Sequence, residues 1–171
     1  MKRNLSLFVW VLLSVVFLQD CKKELKGSEE DALLLSALAE TNDAVCNVSS
    51  NGTSIGTVTA IQATGVSLYL TGTALGTYTV AAARAPGLTT AKTITFHNLP
   101  ASGVTLRAYS GSVCSFDLTN PVVASTSAIT SSSSSGTTIY TIFTPGDYFF
   151  SVTAVSNAAG ALIGNITVSI E

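Results

Sequence analysis

Thr137-Thr138-Ile139-Tyr140-Thr141-Ile142-Phe143-Thr144-Pro145-Gly146-Asp147-Tyr148-Phe149-Phe150-Ser151-Val152-Thr153-Ala154-Val155 decides the fold. Two runs rich in β-branched and aromatic residues meet at Pro145-Gly146, a turn dipeptide, which is the pattern of two strands with a break between them. Side chains alternate between the faces of a strand, so Tyr148, Phe150, Val152 and Ala154 share one apolar face. The same rule groups Ile166, Val168 and Ile170. Working outward, strands are predicted over 56–63, 66–70, 76–82, 92–96, 104–109, 113–118, 137–144, 147–155 and 162–170. The breakers between them are Asn51-Gly52, Pro86-Gly87, Pro100, Asn120-Pro121, Pro145-Gly146 and Gly160. Many short strands at this spacing make an all-β sandwich or barrel. The span 44–171 is long enough for a single core, so one domain is expected there.

Two local patterns refine this picture. Gly52-Thr53-Ser54-Ile55-Gly56-Thr57-Val58-Thr59 recurs as Gly72-Thr73-Ala74-Leu75-Gly76-Thr77-Tyr78-Thr79. A solenoid needs at least three copies, so two successive hairpins are expected instead. The tract 124–136, unbroken serine from Ser131 to Ser135, reads as a flexible loop, a solvated connector or a contact loop.

Charge divides the chain sharply. Lys22, Lys23, Glu24, Lys26, Glu29, Glu30, Asp31, Glu40 and Asp43 crowd the stretch 22–43. From Ala44 onward only Arg84, Lys92, Arg107, Asp117, Asp147 and Glu171 are charged. The charged stretch reads as a solvated tether. Ser28-Glu29-Glu30-Asp31 opens a short helix, because acidic groups suit the positive end of its dipole. Leu33, Leu34, Leu35, Leu38 and Ala39 form its apolar stripe, expected to dock on the β domain.

Before the tether, Lys2 and Arg3 lead into an apolar run from Leu5 to Leu18. The run is shorter than the ~20 residues that a bilayer span requires, and its layout is that of a signal peptide. It ends in Leu18-Gln19-Asp20-Cys21, which resembles the lipobox of bacterial lipoproteins, in the looser spirochaete form. The usual Gly or Ala before the cysteine is replaced here by Asp20. The resemblance implies a signal peptide over 1–20, a lipidated (palmitate-type) Cys21 and a tether over 21–43. It also implies a place in the bacterial cell envelope, in the outer membrane and at the surface. Ordinary signal cleavage, leaving Cys21 a free thiol, is the other reading.

The C-terminal half carries a second likeness. Gly103-Val104-Thr105-Leu106-Arg107-Ala108-Tyr109-Ser110-Gly111, a polar loop, and then residues 138–152 resemble the bacterial pre-peptidase C-terminal domain. That likeness implies an antiparallel, jelly-roll-like β-sandwich. The family's aspartates before the Leu-x-Leu strand are missing, with Ser102 and Gly103 in their place, so no calcium or ligand role carries over.

Candidate chemistry is sparse. Gly52-Thr53-Ser54-Ile55-Gly56 matches the nucleophile-elbow pattern, but no acid lies between Ser54 and His97, and the repeat has Ala74 where Ser54 stands. His97 is the sole histidine and reads as a turn residue, without ligands of zinc-site type at the usual spacing. Asp117 and Asp147 could flank a paired-carboxylate site, but Asp147 follows Pro145-Gly146 and reads first as a hairpin turn residue. No catalytic residue, metal or cofactor is expected. For Cys46 and Cys114 two readings stand: a disulfide, favoured by export to an oxidising compartment, or two buried free thiols. Three scattered cations cannot make the basic stripe that nucleic acid requires. Trp10 falls in the signal, and alternation puts several of Tyr69, Tyr78, Tyr109, Tyr140 and Tyr148 in the core. The expected function is therefore not enzymatic. It is a lipid-anchored β-sandwich binding module, adhesin-like, for a protein or glycan ligand. The alternative is a periplasmic structural or assembly factor of an envelope complex.

Overall fold

The computed structural model describes residues 43–155 and 160–171. The signal peptide, Cys21 and the helix of the tether lie outside the described residues. Twelve strands follow in order. They are β1 (Ala44–Ser50), β2 (Thr53–Gln62), β3 (Leu68–Tyr69), β4 (Thr73–Leu75), β5 (Tyr78–Leu88), β6 (Thr93–His97), β7 (Val104–Ser110), β8 (Ser115–Asp117), β9 (Ile129–Ser134), β10 (Thr137–Ile142), β11 (Gly146–Ala154) and β12 (Thr167–Ile170). They form two sheets. The first runs β7-β11-β5-β2-β1-β8, with β4 also paired to β5; the second runs β3-β12-β6-β10-β9.

The all-β expectation holds, while the all-antiparallel one is corrected. β2 pairs β5 in parallel through Ala60↔Ala82 and Gln62↔Arg84, and β1 pairs β8 in parallel through Asn47↔Ser115. Parallel neighbours need a long crossover. The link from β2 to β5 supplies one by passing through β3, in the other sheet, and through β4.

Alternation along β11 and β5 builds the interior. Tyr148, Phe150, Val152 and Ala154 face the second sheet, beside Ala81, Ala83 and Ala85 of β5. Ile94 and Phe96 of β6, Tyr140 and Ile142 of β10, and Val168 of β12 complete that core. The Phe150 ring lies 5.0 Å from Tyr140 and 5.3 Å from Phe96, in tilted geometry. Such pairs contribute about 1 kcal/mol each beyond area burial. Alanine at alternate positions lets β5 sit between bulky layers, since its other face, Val80 and Ala82, is buried too.

That other face belongs to a second core, where a single one was expected. Cys46, Val48, Val58, Ala60, Tyr109, Phe116, Leu118 and Phe149 pack there with Val80 and Ala82. Tyr109 is on β7 and Phe116 on β8, the two ends of the first sheet, yet their rings are 4.8 Å apart. The first sheet therefore rolls until its ends meet. Sheets twist and coil by nature, and the short link between β7 and β8 holds these two strands together.

Three strands were not predicted: β1, β4 and β9. The tract 124–136 is not a flexible loop throughout, because Ile129–Ser134 pairs with β10 along its whole length. The predicted strand over 162–170 is shorter: Ile163–Asn165 is a 3-10 turn, and β12 starts at Thr167. The glycine repeat gives two hairpins, but its copies are used differently. Asn51-Gly52 turns β1 into β2, whereas Gly76-Thr77 turns β4 into β5 with Leu75 opposite Tyr78. Gly56, the counterpart of Gly76, lies inside β2 with φ +146°, and a Cβ there would meet Leu75 Cδ2 at 2.7 Å. The repeats thus pack against each other.

Candidate binding groove

The turn between β9 and β10 is Ser135-Gly136, with φ of 49° and 77°, and Ser134 pairs with Thr137 across it. Positive φ at both central residues is the turn whose twist matches that of paired strands. Gly136 also accepts a bond from Leu99 N at 2.8 Å, tying the hairpin tip to the segment after β6. A Cβ on Gly136 would lie 3.1 Å from Leu99 O, so both conformation and space call for glycine there.

These contacts shape a groove. A cavity of about 730 Å³ is walled by Leu99, Pro100, Val104, Leu106, Ser131 and Ser133, among others, with Tyr140 below. A second cavity of about 400 Å³ shares Leu106, Ser131 and Tyr140 and continues past Arg107, Val123 and Ala124. No charged side chain lines the first; Arg107 is the one in the second. Its Nη1 donates to Leu118 O at 3.2 Å, which holds it toward β8. Ser133 and Thr138 hydroxyls are 2.8 Å apart. Burial first, and the Tyr109 phenol second, push Tyr140 up to about 12. At neutral pH it is a neutral hydroxyl over an aromatic floor. The groove can bind an uncharged surface through apolar walls and hydroxyl or backbone hydrogen bonds.

The residues singled out from sequence fall elsewhere. Ser54 is exposed within β2, opposite Ser49, and no strand-to-helix turn carries it. His97 ends β6, with Nδ1 3.4 Å from Thr137 Oγ1, just behind the groove's hairpin wall. Asp117 and Asp147 are not brought together as a pair. Asp147 Oδ1 accepts from Gly87 N at 2.7 Å, and its carbonyl from Gly111 N before β8. Asp117, at the far end of β8, accepts from Asn120 N at 2.8 Å, Thr119 N at 2.9 Å, Gly52 N at 3.0 Å and Ser49 Oγ at 3.2 Å. Those bonds, led by Asn120, hold its carboxyl below the usual aspartate range. Cys46 and Cys114 are joined in a disulfide, Cα atoms 4.6 Å apart, which ties β1 to the start of β8.

Sequence reasoning missed the groove because its serine wall read as a loop. The available signal was Ser135-Gly136, a turn dipeptide between two runs of equal parity. No family model matches the chain, and no curated protein or solved structure matches it either.

Proposed function

We propose that the protein is a bacterial envelope lipoprotein, anchored through Cys21, that displays its β domain as a binding module. Its two facing sheets are read as a β-sandwich in the jelly-roll manner, with the parallel pairs as departures from it. The protein or glycan ligand seats in the groove beside β7 and the β9–β10 hairpin. One observation carries this reading: two adjoining cavities that share Leu106, Ser131 and Tyr140, with apolar, hydroxyl and glycine walls. Such a surface suits recognition by apolar contact and hydrogen bonding, with Tyr140 present as a neutral hydroxyl. The lipobox-like Leu18-Gln19-Asp20-Cys21 supports the anchor. Several acyl chains on one cysteine, at about 0.8 kcal/mol per buried methylene, would make attachment effectively permanent.

Mass spectrometry of the mature N-terminus tests the anchor: an acylated Cys21 is expected, and cleavage elsewhere or a bare thiol refutes it. Protease added to intact cells tests display. Cleavage without permeabilisation is expected, and full protection would move the protein to the periplasmic side. Leu106→Arg tests the groove, because a cation in that wall should abolish attachment of the purified protein to ligand-bearing surfaces while leaving its melting curve cooperative.

A further inference from the structure

Two edge strands, each only partly covered, line this groove. β7 ends the first sheet's path and β9 ends the second. Val104 and Leu106 of β7 line the same cavity as Ser131 and Ser133 of β9. The direction of their backbone groups follows from the bonds the strands make. Ala108 O accepts from Ala124 N at 2.8 Å, on the side of β7 away from β11. Polar groups alternate sides along a strand, so Val104 and Leu106 point theirs the same way. On β9, Ser134 and Thr137 flank the two-residue turn, and Phe143 N bonds Ala128 O. The even-numbered residues therefore bond β10, and Ser131 and Ser133 turn their N–H and C=O groups outward. Among the described residues no backbone bond reaches the outward groups of Leu106, Ser131 or Ser133.

One end of this slot is already occupied by the chain itself. Ala124 N bonds Ala108 of β7, and the next residue, Ser125, accepts through its carbonyl from Ile129 N at 3.0 Å, at the start of β9. Ser125 O also accepts from Ala128 N at 2.9 Å, so the turn that leads into β9 lies against the β7 edge at this end. Beyond it the slot continues between Leu106 and Ser131 with uncharged walls. Edge strands are ordinarily shielded by charge, proline or a cover. β9 carries none of these, and its serines are small enough to let another backbone approach.

We infer that the groove takes an extended polypeptide segment of a partner protein, added as a strand between β7 and β9 and hydrogen-bonded to both edges. This rests on the groove being the contact surface, and narrows its ligand from protein or glycan to peptide backbone. Strand addition draws affinity from main-chain bonds and selectivity from side-chain pockets. The residues facing Leu106 and Tyr140 would be uncharged.

The test uses the full chain in detergent micelles, a phage-displayed library of random peptides and a glycan array. Enriched peptides are expected, and binding should slow amide exchange at Leu106, Ser131 and Ser133. Ser131→Pro removes an outward N–H without breaking a β9–β10 bond; it should weaken the selected peptides about tenfold or more, while Ser131→Ala stays within about twofold. Leu106→Glu serves as a second variant should Ser131→Pro disturb the hairpin, and it should also abolish binding. The inference is overturned by a library that yields no binder, by peptides indifferent to both Ser131→Pro and Leu106→Glu, or by slow exchange at Ser131 and Ser133 in the free protein. Glycan binding that Leu106→Glu removes, with no peptide binding, would refute the inference and leave the groove standing. Loss of neither ligand in that variant would refute both.

Discussion

Asp117 accepts bonds from Asn120, Thr119, Gly52 and Ser49, so one carboxylate clamps the β1–β2 turn to the end of β8. Its folded pKa is depressed, so the stabilisation is present above the unfolded aspartate value and disappears as pH falls through the folded one. Asp117→Asn should therefore melt below the parent at neutral pH, and the gap should close in strong acid. Circular-dichroism melts across that range check this; a gap constant with pH would show that charge plays no part. Two repeat glycines give a second contrast. Gly56 has φ +146° with Leu75 in the way, and Gly76 has φ +62° with open space around it. Gly56→Ala should cost about 2 kcal/mol and Gly76→Ala about 1 kcal/mol in urea unfolding. Equal costs would mean that Leu75 yields freely. Neither difference is legible in the repeat, whose copies look equivalent until Leu75 is seen lying over Gly56.

Among the elements, β9 shows where sequence reading stops. The strands β10 and β11 announce themselves through β-branched and aromatic residues, and Tyr148, Phe150, Val152 and Ala154 line the core as their parity requires. β9 is nearly all serine, poor in β propensity and exposed beyond Ile129, so no periodicity marks it. Pairing with β10 overrides that weak preference. β1 was missed for a related reason: its interior face is Cys46 and Val48 only, and Val45 is exposed. The groove inherited this blindness, since its serine wall is the face of a strand that sequence alone presents as a loop. The turn itself can be improved. Ser135 has φ +49°, which serine dislikes and asparagine tolerates. Ser135→Asn should raise stability by about 0.5 kcal/mol, read as a higher urea midpoint at unchanged slope. A lower midpoint would mean that Ser135 makes a contact the turn geometry does not reveal.

Across the described domain, two cores share β5 but are closed differently. The first is held by the second sheet pressing on β11 and β5. The second exists because the first sheet rolls until Tyr109 meets Phe116, and the Cys46–Cys114 disulfide fixes β1 to β8 at that seam. With the cysteines 68 positions apart in sequence, the bridge should stabilise the fold by about 4 kcal/mol in the chain-entropy picture. The loss on removing it should not be felt evenly. The pair Cys46→Ala and Cys114→Ala leaves β6, β10 and β12 with all their sheet partners, while β8 retains only its short pairing with β1. Guanidinium unfolding should report the global loss. Amide exchange of the folded variant should quicken at β1 and β8 well before β6 and β10. Uniform acceleration would show that the two cores open as one unit, and that the seam adds stability without dividing the domain. Preferential opening at the seam would make the bridge the lock on the second core, because it holds β8, the strand that Tyr109 of β7 packs against through Phe116, onto β1.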